Sequence, residues 1–270
     1  MRIVLLLATA VCCAGASPDP KEIVRRSVLA IESDWSQAPG YSFQERDVQS
    51  KRGDRPFVKT YQVLMIDGSP YERTIAFDDR PLSAGEQSEE ERKLRAAINR
   101  REHESNRERA RRVAKYEKER SRDHAMLMGM VDAFDFQVTG TENVNGHQCW
   151  ILDAQPKRGL EPKDRETKVL AGMRGRLWVD QTQYQWVRVK AEVFKTVSFL
   201  GFLAKVGPGT RILLEQEPVA ENLWLPKTFS VKVKASALGF IDESSTDDET
   251  YRDYKPLPKT SAGLIPSPVR

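Results

Sequence analysis

Gly175-Arg-Leu-Trp178-Val-Asp180, followed by Tyr184-Gln-Trp186-Val187 and later by Trp224-Leu-Pro226-Lys227, decides the fold. Strand, turn, strand and return strand are written there, with large apolar side chains and no catalytic ones. The neighbouring runs Val187-Arg-Val189-Lys-Ala191-Glu-Val193 and Phe229-Ser-Val231-Lys-Val233-Lys-Ala235 alternate apolar and polar residues. That period of two puts one face of each strand on an apolar interior and the other in water.

Working outward, Phe134-Asp-Phe136-Gln-Val138 and His147 to Ala154 flank the turn Asn143-Val-Asn-Gly146. Nearer the N-terminus, Tyr41 to Val48, Phe57 to Ile66 and Tyr71 to Phe77 have strand character, and Asp67-Gly68 between two of them is a hairpin signal. About ten such strands form one antiparallel sheet that must curl to cover its own apolar face. Asp19 followed by Pro20 predicts a helix start, and Val24, Val28, Ile31 and Trp35 continue it at helical spacing to about Gln37.

The composition changes after Pro81. From Glu86 to Asp123 there are ten acids and thirteen bases, without glycine or proline. Such a stretch is helical and rich in i,i+3 and i,i+4 ion pairs. Ser83-Ala-Gly-Glu86 and Ser105-Asn-Arg-Glu108 read as two capping boxes, so the segment 83–127 predicts a charged helical hairpin, largely solvated. The fold class expected is therefore α+β: a curved antiparallel sheet, open as a half-barrel, with an N-terminal helix and this insertion.

Residues 1–16 read as a signal peptide: Arg2, an apolar run from Ile3 to Cys13, and Ala14-Gly15-Ala16 as the cleavage site. Residues 17–254 are expected to be one domain, and 255–270, with Pro256, Pro258, Pro266 and Pro268, a disordered tail. Without the signal peptide only Cys149 remains, which excludes an intramolecular disulfide and reads as a small buried hydrophobe. The later chain holds no run of the roughly 20 apolar residues that a membrane span needs. A net charge of +4 over 270 residues argues neither for nucleic acid nor for a strongly anionic membrane as partner of the whole protein.

The order Glu142-Asn-Val-Asn-Gly146-His-Gln-Cys-Trp150, the Trp178 and Tyr184 segments, Trp224-Leu-Pro226-Lys227, and closing Tyr251 and Tyr254 resembles the LolA-like family of bacterial envelope proteins. The resemblance covers roughly residues 134–254. It implies a half-barrel over an apolar concavity and a periplasmic, non-enzymatic protein that carries or senses lipids or the acyl chains of lipoproteins. The charged insertion departs from that pattern, and no ligand-gripping residue can be matched one for one.

Leu64, Trp178, Trp186, Phe199 and Phe202 are the acyl-chain candidates, since burying each CH2 contributes about 0.8 kcal/mol and needs little polar guidance. The alternative is an envelope sensor that docks a protein partner through helices 83–127, with Arg107, Arg109, Arg111 and Arg112 on its surface. The three histidines, His103, His124 and His147, lack metal-site spacing, so no metal or cofactor is expected. Nucleotide-loop and nucleophile-elbow motifs are absent, and a convergent triad through His147 is the residual enzymatic reading.

Overall fold

The computed structural model describes residues 19–51, 53–161, 165–198, 205–237 and 241–258. Helix α1 spans Pro20–Gln37; its N-cap is Asp19, whose carboxylate accepts from the Lys21 N–H at 3.0 Å. A short 3-10 turn, Ala38–Gly40, leads into β1 (Tyr41–Lys51), β2 (Phe57–Ile66), β3 (Ser69–Phe77) and the short β4 (Arg80–Pro81). Helices α2 (Ala84–Glu102) and α3 (Asn106–Ala133) follow, then β5 (Phe134–Val144), β6 (His147–Pro156), α4 (Arg165–Leu170), β7 (Met173–Asp180) and β8 (Trp186–Val193). The chain continues through β9 (Val197–Ser198), β10 (Lys205–Val206), β11 (Arg211–Ala220), β12 (Leu223–Ala237) and β13 (Ile241–Pro256).

All described pairings are antiparallel, in one open sheet ordered β4-β3-β2-β1-β13-β12-β11-β8-β7-β6-β5, with the β9–β10 pair attached to β12. The α+β half-barrel with an N-terminal helix and a helical hairpin is thus the architecture observed. The hairpin signal at Asp67-Gly68 is realised with both residues at positive φ, 48° and 83°. That conformation matches the twist of the flanking strands, and glycine and aspartate tolerate it.

The expected strand set lacks β13. This segment, Ile241–Pro256, carries five acids from Asp242 to Glu249, a composition with poor strand propensity, yet it lies in the middle of the sheet between β1 and β12. Pairing on both edges overrides local preference. A bulge near Asp253, at φ 56°, sends Tyr251 and Tyr254 to the same side, where both rings meet Phe43 at centroid distances of 5.8 and 5.3 Å.

Both capping boxes form: the Ser83 and Ser105 hydroxyls accept from the Glu86 and Glu108 N–H groups, and each glutamate reaches back to the cap. The hairpin is less free than its composition suggests. Helix α3 runs on to Ala133, and Leu127, Met130, Val131 and Ala133 enter the main core. At the other end Arg101 donates to the carbonyls of Ile66, Ser69 and Pro70 at 2.7, 2.9 and 3.0 Å. Arg112 bonds the Ser69 hydroxyl at 2.7 Å and the Asp67 carbonyl at 3.1 Å, while pairing with Glu104 at 2.7 Å.

Arg101→Ala is expected to cost about 1–3 kcal/mol, because three carbonyls lose a charged donor. Arg101→Lys should not restore the loss, since an ammonium lacks the planar fork that reaches all three. Thermal melting, with limited proteolysis of the α2–α3 turn, measures both; an unchanged melting temperature for Arg101→Ala would show the anchor to be idle.

Candidate functional site

Register assigns each strand residue to a face. Leu152, Leu177 and Val189 lie opposite one another across β6, β7 and β8 and form the main core with Val179, Trp186 and Val193. This inner face is covered by Ile23, Val24 and Ile31 of α1, the last turns of α3, and Val169 and Leu170 of α4. Trp186 is 3% exposed, and its indole N–H donates to Ser27 Oγ at 3.1 Å.

Continuing across the sheet, Val189 pairs with Leu214, Leu214 with Phe229, and Phe229 with Glu249; Ala191 pairs with Ile212, Ile212 with Val231, and Val231 with Asp247. The inner face therefore has three zones. Under the helices it is closed. Next comes a strip of half-buried apolar side chains, Ala191, Ile212, Leu214, Phe229, Val231 and Val233. Beyond it, over β13, β1, β2 and β3, lie Asp247, Glu249, Glu45, Asp47 and Glu72, beside Tyr61 and Tyr251.

This acidic end is electrostatically strained. Burial, with Glu249, Glu72, Asp47 and Asp247 nearby, pushes the Glu45 carboxyl from its usual 4.5 up to about 7. Burial and the adjacent Asp247 push Asp47 up to about 6, and burial raises Glu249 as well. Like charges drawn together away from water favour the protonated forms. Tyr251 donates a short hydrogen bond to Glu249, and burial raises its own phenol.

The five acyl-chain candidates do not converge. Trp186 faces inward beneath α1, as just described. Trp178 lies on the outer face opposite Ile151 and Arg188, where its indole N–H donates to Glu142 at 2.7 Å and Lys190 Nζ stands 5.3 Å from its ring. A bulge at Val187 makes the difference: Trp178 opposes Arg188, and Val179 opposes Trp186. Leu64 pairs with Tyr71 and also faces outward, since its neighbour Val63 shares the inner face with Phe43 and Glu72. Phe199 and Phe202, like the signal-peptide segment, lie outside the described residues. The half-buried strip contains none of the five, although its Ala191, Val231 and Val233 stood out as alternating strand positions.

Cys149 is fully buried, and burial pushes its thiol up to about 12, which keeps it protonated and inert. His147 Nδ1 lies 3.5 Å from Asp180 Oδ2 and its ring meets Trp224 edge-on at 4.6 Å. Among the described residues no hydroxyl or thiol bonds the His147 ring; the Cys149 thiol donates to the His147 carbonyl instead. No group of three or more metal-ligating side chains occurs among the described residues. Of the surface arginines, Arg109 pairs with Asp67 at 2.9 Å and Arg112 is held as described, so both serve the fold. No helix among the described residues is long and apolar enough to cross a membrane.

No family model matches the chain, and no curated protein matches it. Among solved structures it is similar to a domain described as an outer membrane lipoprotein-sorting protein from Vibrio parahaemolyticus, at 11% identity, covering 88% of this chain and 94% of that one, with a TM-score of 0.36. It is also similar to a LolA superfamily protein from Nitrosomonas europaea, at 11% identity over 89% and 94% of the two chains, TM-score 0.35. A third similar structure is the MucA/MucB complex of Pseudomonas aeruginosa, at 10% identity over 88% and 99%, TM-score 0.24. The Nitrosomonas europaea structure bears the family name that the sequence motifs suggested. With TM-scores below 0.5 these structures decide nothing about function.

Proposed function

We propose that the protein is a non-enzymatic, exported periplasmic binding protein that shelters acyl chains of a lipid or lipoprotein on the inner face of its half-barrel. The observation that supports this reading is the half-buried strip of Ala191, Ile212, Leu214, Phe229, Val231 and Val233. It continues the closed core without a break, yet the helices leave it incompletely covered. Among the described residues, the cavity beneath the helices between Met130, Phe134, Phe136, Ala154 and the facing strands has about 30 Å³. An acyl chain does not fit there without movement of α3 or α4. The ligand therefore lies along the strip first and extends under the helices only as they yield.

The test is titration of the full chain with a fluorescent long-chain fatty acid, beside the variant Ile212→Gln/Val231→Gln. The wild type is expected to bind, and the variant to bind at least about tenfold more weakly, because two apolar contact surfaces become polar. Circular dichroism verifies that the variant remains folded. Absence of binding by the wild type, or equal binding by the two, would overturn the proposal.

A further inference from the structure

A further cavity lies on the other side of the sheet. A trough of about 600 Å³ crosses the outer face, lined by Arg174, Arg176, Lys190, Arg211 and Lys232, with Asp153 and Glu192 as its only acids. Arg176 pairs with Asp153 at 2.6 Å and Arg174 with Glu192 at 3.2 Å. Lys190, Arg211 and Lys232 have no acidic partner among the described residues, and all three are exposed.

Register compounds the imbalance. Arg176 stands directly opposite Lys190, and Arg211 directly opposite Lys232, so two cross-strand pairs carry like charges. Such pairs are destabilising, and an external anion relieves them. Among the described residues no helix packs on this face at the trough: α1, α4 and the end of α3 all pack on the inner side.

We propose that the outer trough docks the protein on an anionic bilayer, with the phosphate groups of acidic lipids neutralising Lys190, Arg211 and Lys232. The three unpaired cations are exposed and spread over three strands. That suits a diffuse anionic surface better than a small ligand, which needs a few convergent, oriented polar groups. The modest net charge of the whole chain hides this local surplus of five cations over two acids along the trough. The inference does not depend on acyl binding, since it concerns the opposite side of the sheet.

The experiment is co-sedimentation of the full chain with vesicles containing about one-third phosphatidylglycerol, against purely zwitterionic vesicles. Lys190→Ser/Arg211→Ser/Lys232→Ser is expected to lower partitioning by on the order of 100-fold, and Arg211→Ser alone by roughly fivefold. A control, Arg107→Ser/Arg111→Ser/Lys115→Ser, removes the same charge from exposed positions on α3 and should change partitioning far less. The melting temperature of the trough variants should hold or rise, because the like-charge pairs are gone. Equal sedimentation with zwitterionic vesicles, an equal loss in the α3 control, or displacement of bound protein by millimolar pyrophosphate would overturn the proposal. The last result would indicate a small phosphorylated ligand. Fatty-acid titration of the same variants keeps this outcome separate from that of the inner-face reading.

Discussion

Trp224→Ala is expected to lower stability by about 3–5 kcal/mol, the usual cost of emptying a large buried aromatic site. For a chain of this size that corresponds to a fall in melting temperature of roughly 8–16 °C. Trp224 is 1% exposed and packs with Val144, Cys149, Trp178 and Val187 in a second core. Its indole N–H donates to Gln183 Oε1 at 2.6 Å, and its backbone N–H donates to Asp34 Oδ1 at 3.2 Å, tying the start of β12 to α1. Truncation empties the pocket and leaves Gln183 without its donor. Leu29→Ala is the matched control: Leu29 is 55% exposed, so the change should stay within about 0.5 kcal/mol. Similar melting of the two variants would show that Trp224 does not hold the second core together.

The protein is expected to be more stable at pH 5.5 than at pH 8, by on the order of 2 kcal/mol once solvent screening of the half-exposed groups is allowed for, or roughly 5 °C in melting temperature. Glu45 is raised to about 7 and Asp47 to about 6; Asp34 is also raised to about 6, chiefly by burial. A carboxyl whose folded pKa exceeds its unfolded one binds more protons when folded. Between about pH 4 and 8 the slope of stability against pH is therefore negative, and the cost of charging these groups is fully present only above about pH 8, beyond the Glu45 value of about 7. Below about pH 4 the direction reverses, because Asp79, Glu86, Glu104 and Glu108 are held below their usual values by Arg46, Ser83, Arg112 and Ser105 respectively.

Glu45→Gln should raise stability at pH 8 by about 1–3 kcal/mol and flatten the slope, since it removes the carboxyl with the highest described pKa. Thermal melts across pH 4–9 on both proteins decide the matter. A melting temperature that is flat or rises from pH 5.5 to 8 would refute the account.

Much of the architecture is legible without coordinates wherever the controlling energy is local. The α1 cap at Asp19, the two serine capping boxes and the turn at Asp67-Gly68 each depend on groups within four residues, and each forms as read. Alternation in Val187–Val193 and Phe229–Ala235 is likewise a property of neighbouring residues, and it separates the two faces of each strand. It also predicts that Leu177 and Val179 face away from Trp178, and they do.

The site is far less legible. Period two separates Trp178 from its neighbours, but it does not say which side of the sheet the helices cover, and the bulge at Val187 offsets the count between Trp178 and Trp186. The acyl-chain candidates are large aromatic and aliphatic residues, each conspicuous by its own size. The half-buried strip consists of smaller ones, whose common property is their place in the register.

By itself, then, the sequence determined the kind of element at most positions, the turns and caps that bound them, and an antiparallel sheet with one apolar face, because those follow from short-range sterics and hydrogen bonding. Only the tertiary structure decided that β13 lies between β1 and β12, that the acids of β13 and β1 share the inner face, and that unpaired cations gather on the outer one. Those arrangements come from pairing segments about 200 residues apart, such as Tyr41 with Pro256. The hydrogen bonds and burial gained on both edges of β13 outweigh its poor local propensity, and no window along the chain contains both partners.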